Sequence, residues 1–306
     1  MINAISIHSE YDRQTFYLKR PNESDNYAVI NIAGITPGDA DIGMMDAAYM
    51  DGKLLGNRRI NDREIELTLR LLDGDAERQR NRSYLLFPLK RRVRMEIHSD
   101  YRHSYIDGYV KKCSSNVFSQ EEELNVVLSC PFPFFTDLET ADANKILEFS
   151  SVTELFEFPF SNESLTTPLL EFGSIKRKEE VNLYYPGEVE NACIVIFKAV
   201  GGDVVDPELR NVDYGQRAKV LTNRFDDGKG PALHNGDSLW VCSQLGNKYV
   251  VLNRATGAVS NQIQAYDISG NWIILQPGDN RIRYFAKAGS EYLSVEIRHT
   301  ILYSGA

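Results

Sequence analysis

Apolar and polar positions alternate with a period of two along most of this chain. In Arg63–Leu71 the side chains of Ile65, Leu67, Leu69 and Leu71 fall on one face of an extended strand, and Glu64, Glu66, Thr68 and Arg70 fall on the other. The same pattern predicts strands over 92–98, 104–112, 122–130, 192–198, 238–243, 247–253, 271–275 and 292–299. One segment, 75–86, reads as a helix. Acids open it, Asp73 or Asp75 can cap its free N–H groups, and Pro88 forbids its continuation.

Ahead of the first long strand lies GITPGDADIGMMDAAYMDGKLLGNRRI, residues 34–60, too long for a tight hairpin and rich in Gly and Asp. Its apolar residues Met44, Met45, Tyr49, Met50, Leu54 and Leu55 are hard to bury within one small domain. An extended arm or long hairpin packed on a neighbouring subunit would account for them, with Arg58 and Arg59 as further candidates for that interface. A surface loop is the plainer alternative.

A domain boundary is expected after Cys130-Pro131-Phe132-Pro133-Phe134-Phe135, where two prolines end a strand. The chain then reads as an N-terminal domain over 1–138, a linker at about 137–146, and a C-terminal domain over 147–306 that opens with a new apolar alternation at 146–160. Downstream, short strands separated by Gly, Asn and Asp turns are the pattern of an antiparallel sandwich. LQPGDNRIRYFA, residues 275–286, fits that setting. Pro277 and Gly278 suit the middle of a turn, Asp279 and Asn280 tolerate unusual backbone angles, and Ile282, Tyr284 and Ala286 begin the next strand.

A length of 306 residues accommodates two ordinary domains, and 42% hydrophobic with 25% charged residues is a globular composition without disordered tracts. The formal net charge of −9, spread over both halves, argues against binding to a phosphate backbone, which rests on clustered Lys and Arg. The dense basic stretch Lys90-Arg91-Arg92 with Arg94 is expected at a solvated strand edge or a subunit contact. The N-terminal residues reach charge by Glu10 without an apolar core, and no segment has the apolar length of a membrane span, so the expectation is a protein of the cytoplasm. The Asn-Glu-Ser sequons at Asn22 and Asn162 carry no meaning there. Cys113, Cys130, Cys193 and Cys242 are far apart in strand-like runs and read as free thiols.

The sequence carries no catalytic, metal or cofactor signature. GxxxxGK[ST], GxGxxG, GxSxG and HExxH do not occur. The histidines His8, His98, His103, His234 and His299 are scattered, and the nearest pair, His98 and His103, flanks a turn. Asp39-Ala40-Asp41-Ile42-Gly43 resembles the start of a calcium loop but lacks the third alternating acid and the closing Glu. Trp240 and Trp272 sit in alternating strands, where packing is the plain reading and sugar stacking the alternative.

Three stretches together resemble the distal tail proteins of long-tailed phages, the Dit family. The first is Gly56-Asn57-Arg58-Arg59-Ile60 through Ile65-Glu66-Leu67-Thr68-Leu69, followed by Arg80 to Phe87 and Pro88. The second is Tyr105-Ile106-Asp107-Gly108-Tyr109-Val110 leading to Leu128-Ser129-Cys130-Pro131-Phe132-Pro133-Phe134-Phe135; in this family a cysteine-proline-x-proline-aromatic run closes the first domain. The third is the Leu275 to Asn280 corner with its strand and then Leu293-Ser294-Val295-Glu296-Ile297. Residues 160–235 match poorly beyond Pro186-Gly187-Glu188-Val189-Glu190.

The resemblance implies a mainly β chain: an N-terminal sheet domain with one helix and a hairpin arm that forms a hexameric ring, and a C-terminal galectin-like sandwich. It implies a non-enzymatic virion protein at the distal tail, assembled in the bacterial cytoplasm, that joins the tail tube to the tail-tip hub protein. The tape measure protein is a further implied partner. DNA would cross the lumen without specific binding, and no membrane or cofactor is implied. The alternative from the binding class is a carbohydrate-binding host-adsorption module, and from the enzyme class a cell-wall glycosidase or peptidase.

Overall fold

The computed structural model describes residues 1–18, 27–46, 51–72, 76–117, 121–141, 145–150, 152–153, 174–175 and 180–306. Tyr49, Met50, the Asp73 and Asp75 caps, Asn22, Asn162 and most of the alternation expected over 146–160 lie outside the described residues. The chain is mainly β and divides into two units, Met1–Asp142 with Leu302–Ala306, and Ala143–Ile301. Residues 137–146 hold the end of one strand, a short helix and the start of another strand.

The first unit contains β1 (Ile2–His8), β2 (Arg13–Tyr17), β3 (Tyr27–Ala33), β4 (Ala40–Asp46), β5 (Lys53–Ile60), β6 (Arg63–Leu71), α1 (Ala76–Leu86), β7 (Arg92–Ser99), β8 (His103–Ser115), β9 (Glu123–Cys130), β10 (Phe135–Asp137) and α2 (Leu138–Ala141). Its main sheet is antiparallel in the order β2-β1-β7-β8-β9-β6-β3. The alternation read in β6 is realised: Ile65, Leu67, Leu69 and Leu71 are buried and join Ile5, Ile7, Phe16, Met95, Ile97 and Leu128 in one core.

The helix α1 lies where the punctuation placed it, but the side it buries carries Gln79, Ser83 and Leu86, a mostly polar stripe at helical spacing. Buried Tyr27 of β3 satisfies part of it: its hydroxyl lies 3.0 Å from Ser83 Oγ and 3.2 Å from the Gln79 backbone carbonyl, which also accepts from Ser83 Oγ at 2.9 Å. The basic stretch departs from the expected strand edge. Its strand β7 is not an edge but pairs with β1 and β8. Arg92 and Arg94 are neutralised there by Asp107 at 2.6 and 3.1 Å, and although burial opposes it, these bonds hold the Asp107 carboxyl below the usual range.

The second unit contains β11 (Lys145–Ser150), β12 (Val152–Thr153), β13 (Ser174–Ile175), β14 (Glu180–Tyr185), β15 (Asn191–Ala192), β16 (Ile194–Ala199), β17 (Val205–Asn211), β18 (Gln216–Lys219), β19 (Ser238–Cys242), β20 (Tyr249–Asn253), β21 (Val259–Asn261), β22 (Ile274–Leu275), β23 (Gly278–Ala288) and β24 (Leu293–His299). The last strand, β25 (Leu302–Tyr303), belongs to the first unit, where it pairs with β10. Two antiparallel sheets dominate the second unit, β11-β24-β16-β19-β20-β21 and β14-β23-β17-β18. Each has a buried apolar face, with Val195, Phe197, Leu239, Val241, Val295 and Ile297 on one and Leu183, Leu209, Ile282 and Tyr284 on the other. Two such faces are what a β-sandwich requires.

The corner at 275–286 is a turn, with a different division of labour from that expected. Gly278 takes the positive φ of 88°, while Asp279 and Asn280 already lie in the strand, opposite Tyr184 and Leu183. Asn280 is there for its side chain. Fully buried, it donates to the carbonyls of Gln276 and Gly278 at 2.8 and 3.1 Å, and its Oδ1 accepts from Gln276 N and Asn211 Nδ2, each at 3.0 Å.

Candidate assembly site

Within the stretch 34–60, β4 pairs with β5 in a two-stranded antiparallel ribbon that joins no other sheet among the described residues. Met44 faces Leu55 and Met45 faces Leu54, so consecutive pairs put apolar side chains on both faces near the tip. Ile42, Met44, Met45, Leu54, Leu55 and Ile60 are all exposed, by between 39% and 60%. An isolated hairpin is marginal in water, and a contiguous exposed apolar patch marks a surface meant to be covered. A bulge between Ile42 and Met44 sets Gly43 against Asn57, where a side chain at 43 would collide with the Asn57 amide. Arg59 pairs with Asp41 at 3.2 Å, which accounts for the acid once compared with a calcium loop, and Arg58 stands opposite Ile42.

The root of the ribbon is held by Arg63, a residue that sequence reasoning treated only as the start of a strand. It is 5% exposed and donates to four carbonyls: Pro133 at 2.7 Å, Gly34 at 2.8 Å, Thr36 at 2.7 Å and Ser304 at 2.6 Å. Its guanidinium also lies 5.0 Å from the centre of the Phe135 ring. Four carbonyls in place of a carboxylate satisfy the charge while burial lowers its pKa. Gly34, at φ +81°, takes the turn into the ribbon, and any side chain there would collide with the Glu64 carbonyl. Ala306 N donates to the Ile35 carbonyl at 3.0 Å, so the loop that launches β4 is stapled to the chain's last residues. The proline run thus has a physical role: it presents the Pro133 carbonyl to Arg63 and buries Phe135 beneath it.

The two ends of the second stretch that carried the resemblance also meet. A Cβ at Gly108 of β8 would stand 2.8 Å from Cys130 Sγ, so the glycine leaves room for the thiol that precedes the prolines.

Over nearly its whole length this chain is similar in structure to the SPP1 Dit protein, described as a paradigm of the hub adsorption apparatus in phages infecting Gram-positive bacteria. The two share 12% identity, cover 97% and 98% of each other, and superpose with a TM-score of 0.62. The chain carries a Dit fold. Chains of the phage P2 baseplate in its activated conformation with calcium (10% identity, 98% of each chain, TM-score 0.46) and of the phage p2 baseplate with strontium (8%, 97% of each, 0.45) are more distantly similar. No protein-family model and no curated protein matches the sequence.

The two tryptophans lie in the second unit and both are engaged. Trp272 stacks on Tyr266 with ring centres 4.1 Å apart, and Lys248 Nζ lies 5.0 Å from its ring. The Arg298 guanidinium lies 5.0 Å from the Trp240 ring, whose Nε1 donates to Ser238 Oγ at 3.2 Å. The four cysteines are free thiols; burial pushes Cys113 up to about 11 and Cys130 and Cys193 up to about 12. His98 and His103 are register partners with Nδ1 atoms 3.3 Å apart, and among the described residues no group of three His, Cys, Asp or Glu side chains could hold a metal ion. Among those residues no helix is long and apolar enough to cross a membrane.

Proposed function

We propose that this chain is a structural protein of a phage tail tip, assembling through its ribbon into a hexameric ring that joins the tail tube to the tail-tip hub and the host-adsorption apparatus. The observation that carries this reading is the ribbon β4–β5, apolar on both faces and uncovered within the described chain, on a root fixed by a buried arginine. A ribbon that docks on a different surface of the next copy makes a heterologous contact, and such contacts close into rings when the rotation allows. The Dit fold and the motif resemblance support the same reading, with the first unit as the ring former and the second as the outward sandwich. A net charge of −9 suits a lumen through which DNA slides without sticking. A ring of this kind acts by position, in the virion, and needs no catalytic group.

The test is the mass of the purified full chain by light scattering across concentration and salt. The expected result is a hexamer, or growth towards one with concentration, reduced to a monomer by Met44→Asp with Leu55→Asp. Because both side chains are exposed, the variant should keep the native melting temperature. A native chain that stays monomeric throughout, or a variant that assembles like the native chain, would remove the ribbon from the assembly.

A further inference from the structure

The outer face of the sheet β14-β23-β17-β18 is charged, and one row across it places like charges side by side. Arg283 of β23 stands in register beside Arg210 of β17, and Arg210 beside Arg217 of β18. Like charges directly opposite destabilise a sheet, so this row needs compensation. Part of it comes from carboxylates behind the guanidiniums. Glu208, 3% exposed, accepts from Arg210 Nε at 2.5 Å and lies 2.9 Å from Arg217 Nε, too far off its N–H axis to hydrogen-bond. Glu180 accepts from Arg283 Nε at 2.6 Å, and Asp267 from Arg217 Nη2 at 3.0 Å.

These contacts fix the side chains and leave donors over. Among the described residues, the terminal amino groups of Arg210 and Arg283 form no hydrogen bond. The three arginines line a pocket of about 620 Å³ with Gln216 and Phe285 among the other walls, and no Asp or Glu is among the described residues that line it. That volume falls within the roughly 300–1,000 Å³ of small-molecule sites. We propose that the pocket binds a small phosphate-bearing ligand, a phosphorylated polyol or sugar, whose phosphate bridges Arg283, Arg210 and Arg217. A carboxylate has two oxygens and suits one guanidinium fork, whereas a phosphate has enough oxygens and charge to join neighbouring forks. The Phe285 ring, 4.6 Å from the Arg210 guanidinium, offers an apolar wall for the carbon skeleton. The overall charge of −9 opposes long-range attraction, so recognition rests on this local row.

The site lies in the second unit and does not depend on the ring. It is tested by calorimetric titration of the full chain with glycerol 3-phosphate and inorganic phosphate at low ionic strength, with glucuronate and an acidic peptide as comparators. One saturable site per chain is expected for the phosphate probes, weakened about tenfold or more in Arg283→Gln and less in Arg283→Lys. Arg58→Gln, in the ribbon, should bind as the native chain does, and Arg283→Gln should assemble as the native chain does. On the native protein, side-chain resonances of Arg210, Arg217 and Arg283 should move with phosphate while those of Arg58 and Arg59 stay. No saturable binding by either phosphate probe, equal affinity in Arg283→Gln, or tighter binding of glucuronate or peptide would overturn the assignment.

Discussion

The guanidinium of Arg63 donates to the carbonyl of Ser304 at 2.6 Å across 241 positions of sequence. The same side chain holds Gly34, Thr36 and Pro133, so three distant stretches of chain converge on one cation at the root of the ribbon. A side chain with five fixed donors and no acceptor is suited to this, and lysine, with three donors on a flexible stem, is not.

Replacing Arg63 by Met should therefore leave four carbonyls without their donor. Buried unsatisfied groups cost about 1–3 kcal/mol each, so the variant should lose at least about 3 kcal/mol in urea unfolding, with Arg63→Lys in between. A native-like midpoint in the Met variant would show that water replaces the clamp.

Gly108 and Cys130 should behave as a coupled pair. Gly108→Ala places a methyl 2.8 Å from the Cys130 sulfur, an overpacking worth about 1–3 kcal/mol. Cys130→Ala removes the obstructing atom, so the double variant should be more stable than the sum of the two single losses predicts. Strict additivity in a double-mutant cycle would mean the strand shifts instead.

Asn280→Asp tests whether the corner depends on backbone freedom or on side-chain donors. Aspartate tolerates the same backbone but cannot donate to the Gln276 and Gly278 carbonyls, and it would bury a charge. A loss of about 2–3 kcal/mol is expected, whereas a neutral effect would return the corner to simple turn propensity.

Two histidines should titrate on opposite sides of the ordinary value. Burial lowers His98, outweighing the attraction of Glu96 beside it. The Lys229 carbonyl at 2.9 Å and then the Asp203 carboxylate at 3.1 Å raise His234. The lowered group contributes stability that is present above the unfolded value of about 6.5 and lost as pH falls through its folded value. The raised group contributes stability that is complete below about 6.5 and lost as pH rises through its folded value. A proton NMR titration should place the His98 ring below His234; the reverse order would contradict both environments.

Much of the first unit was legible because burial on one face of a sheet writes itself into the sequence every second residue. Ile65, Leu67, Leu69 and Leu71 needed no partner to be read as an inward face. The helix α1 was legible from its acids and Pro88, although its buried stripe of Gln79 and Ser83 was not, since the Ser83 hydroxyl finds its partners in the Tyr27 hydroxyl of a distant strand and in the Gln79 carbonyl one turn back. In the ribbon, Met44, Met45, Leu54 and Leu55 read as apolar residues without a core, and in the structure they remain uncovered.

Local alternation, turn residues and helix punctuation are short-range properties, and they alone determined that this is a mainly β chain with one principal helix. Long-range pairing decided the rest. That β7 is interior, that residues 302–306 return to the first unit, and that Arg283, Arg210 and Arg217 share one row all follow from strand registers. Some of those registers close hairpins, as Arg210 beside Arg217 does, but others, such as Ile5 beside Ile97 and Phe135 beside Tyr303, join residues far apart in sequence. Each is chosen by the summed burial and hydrogen bonding of both partners, a quantity that exists only once the two strands have met.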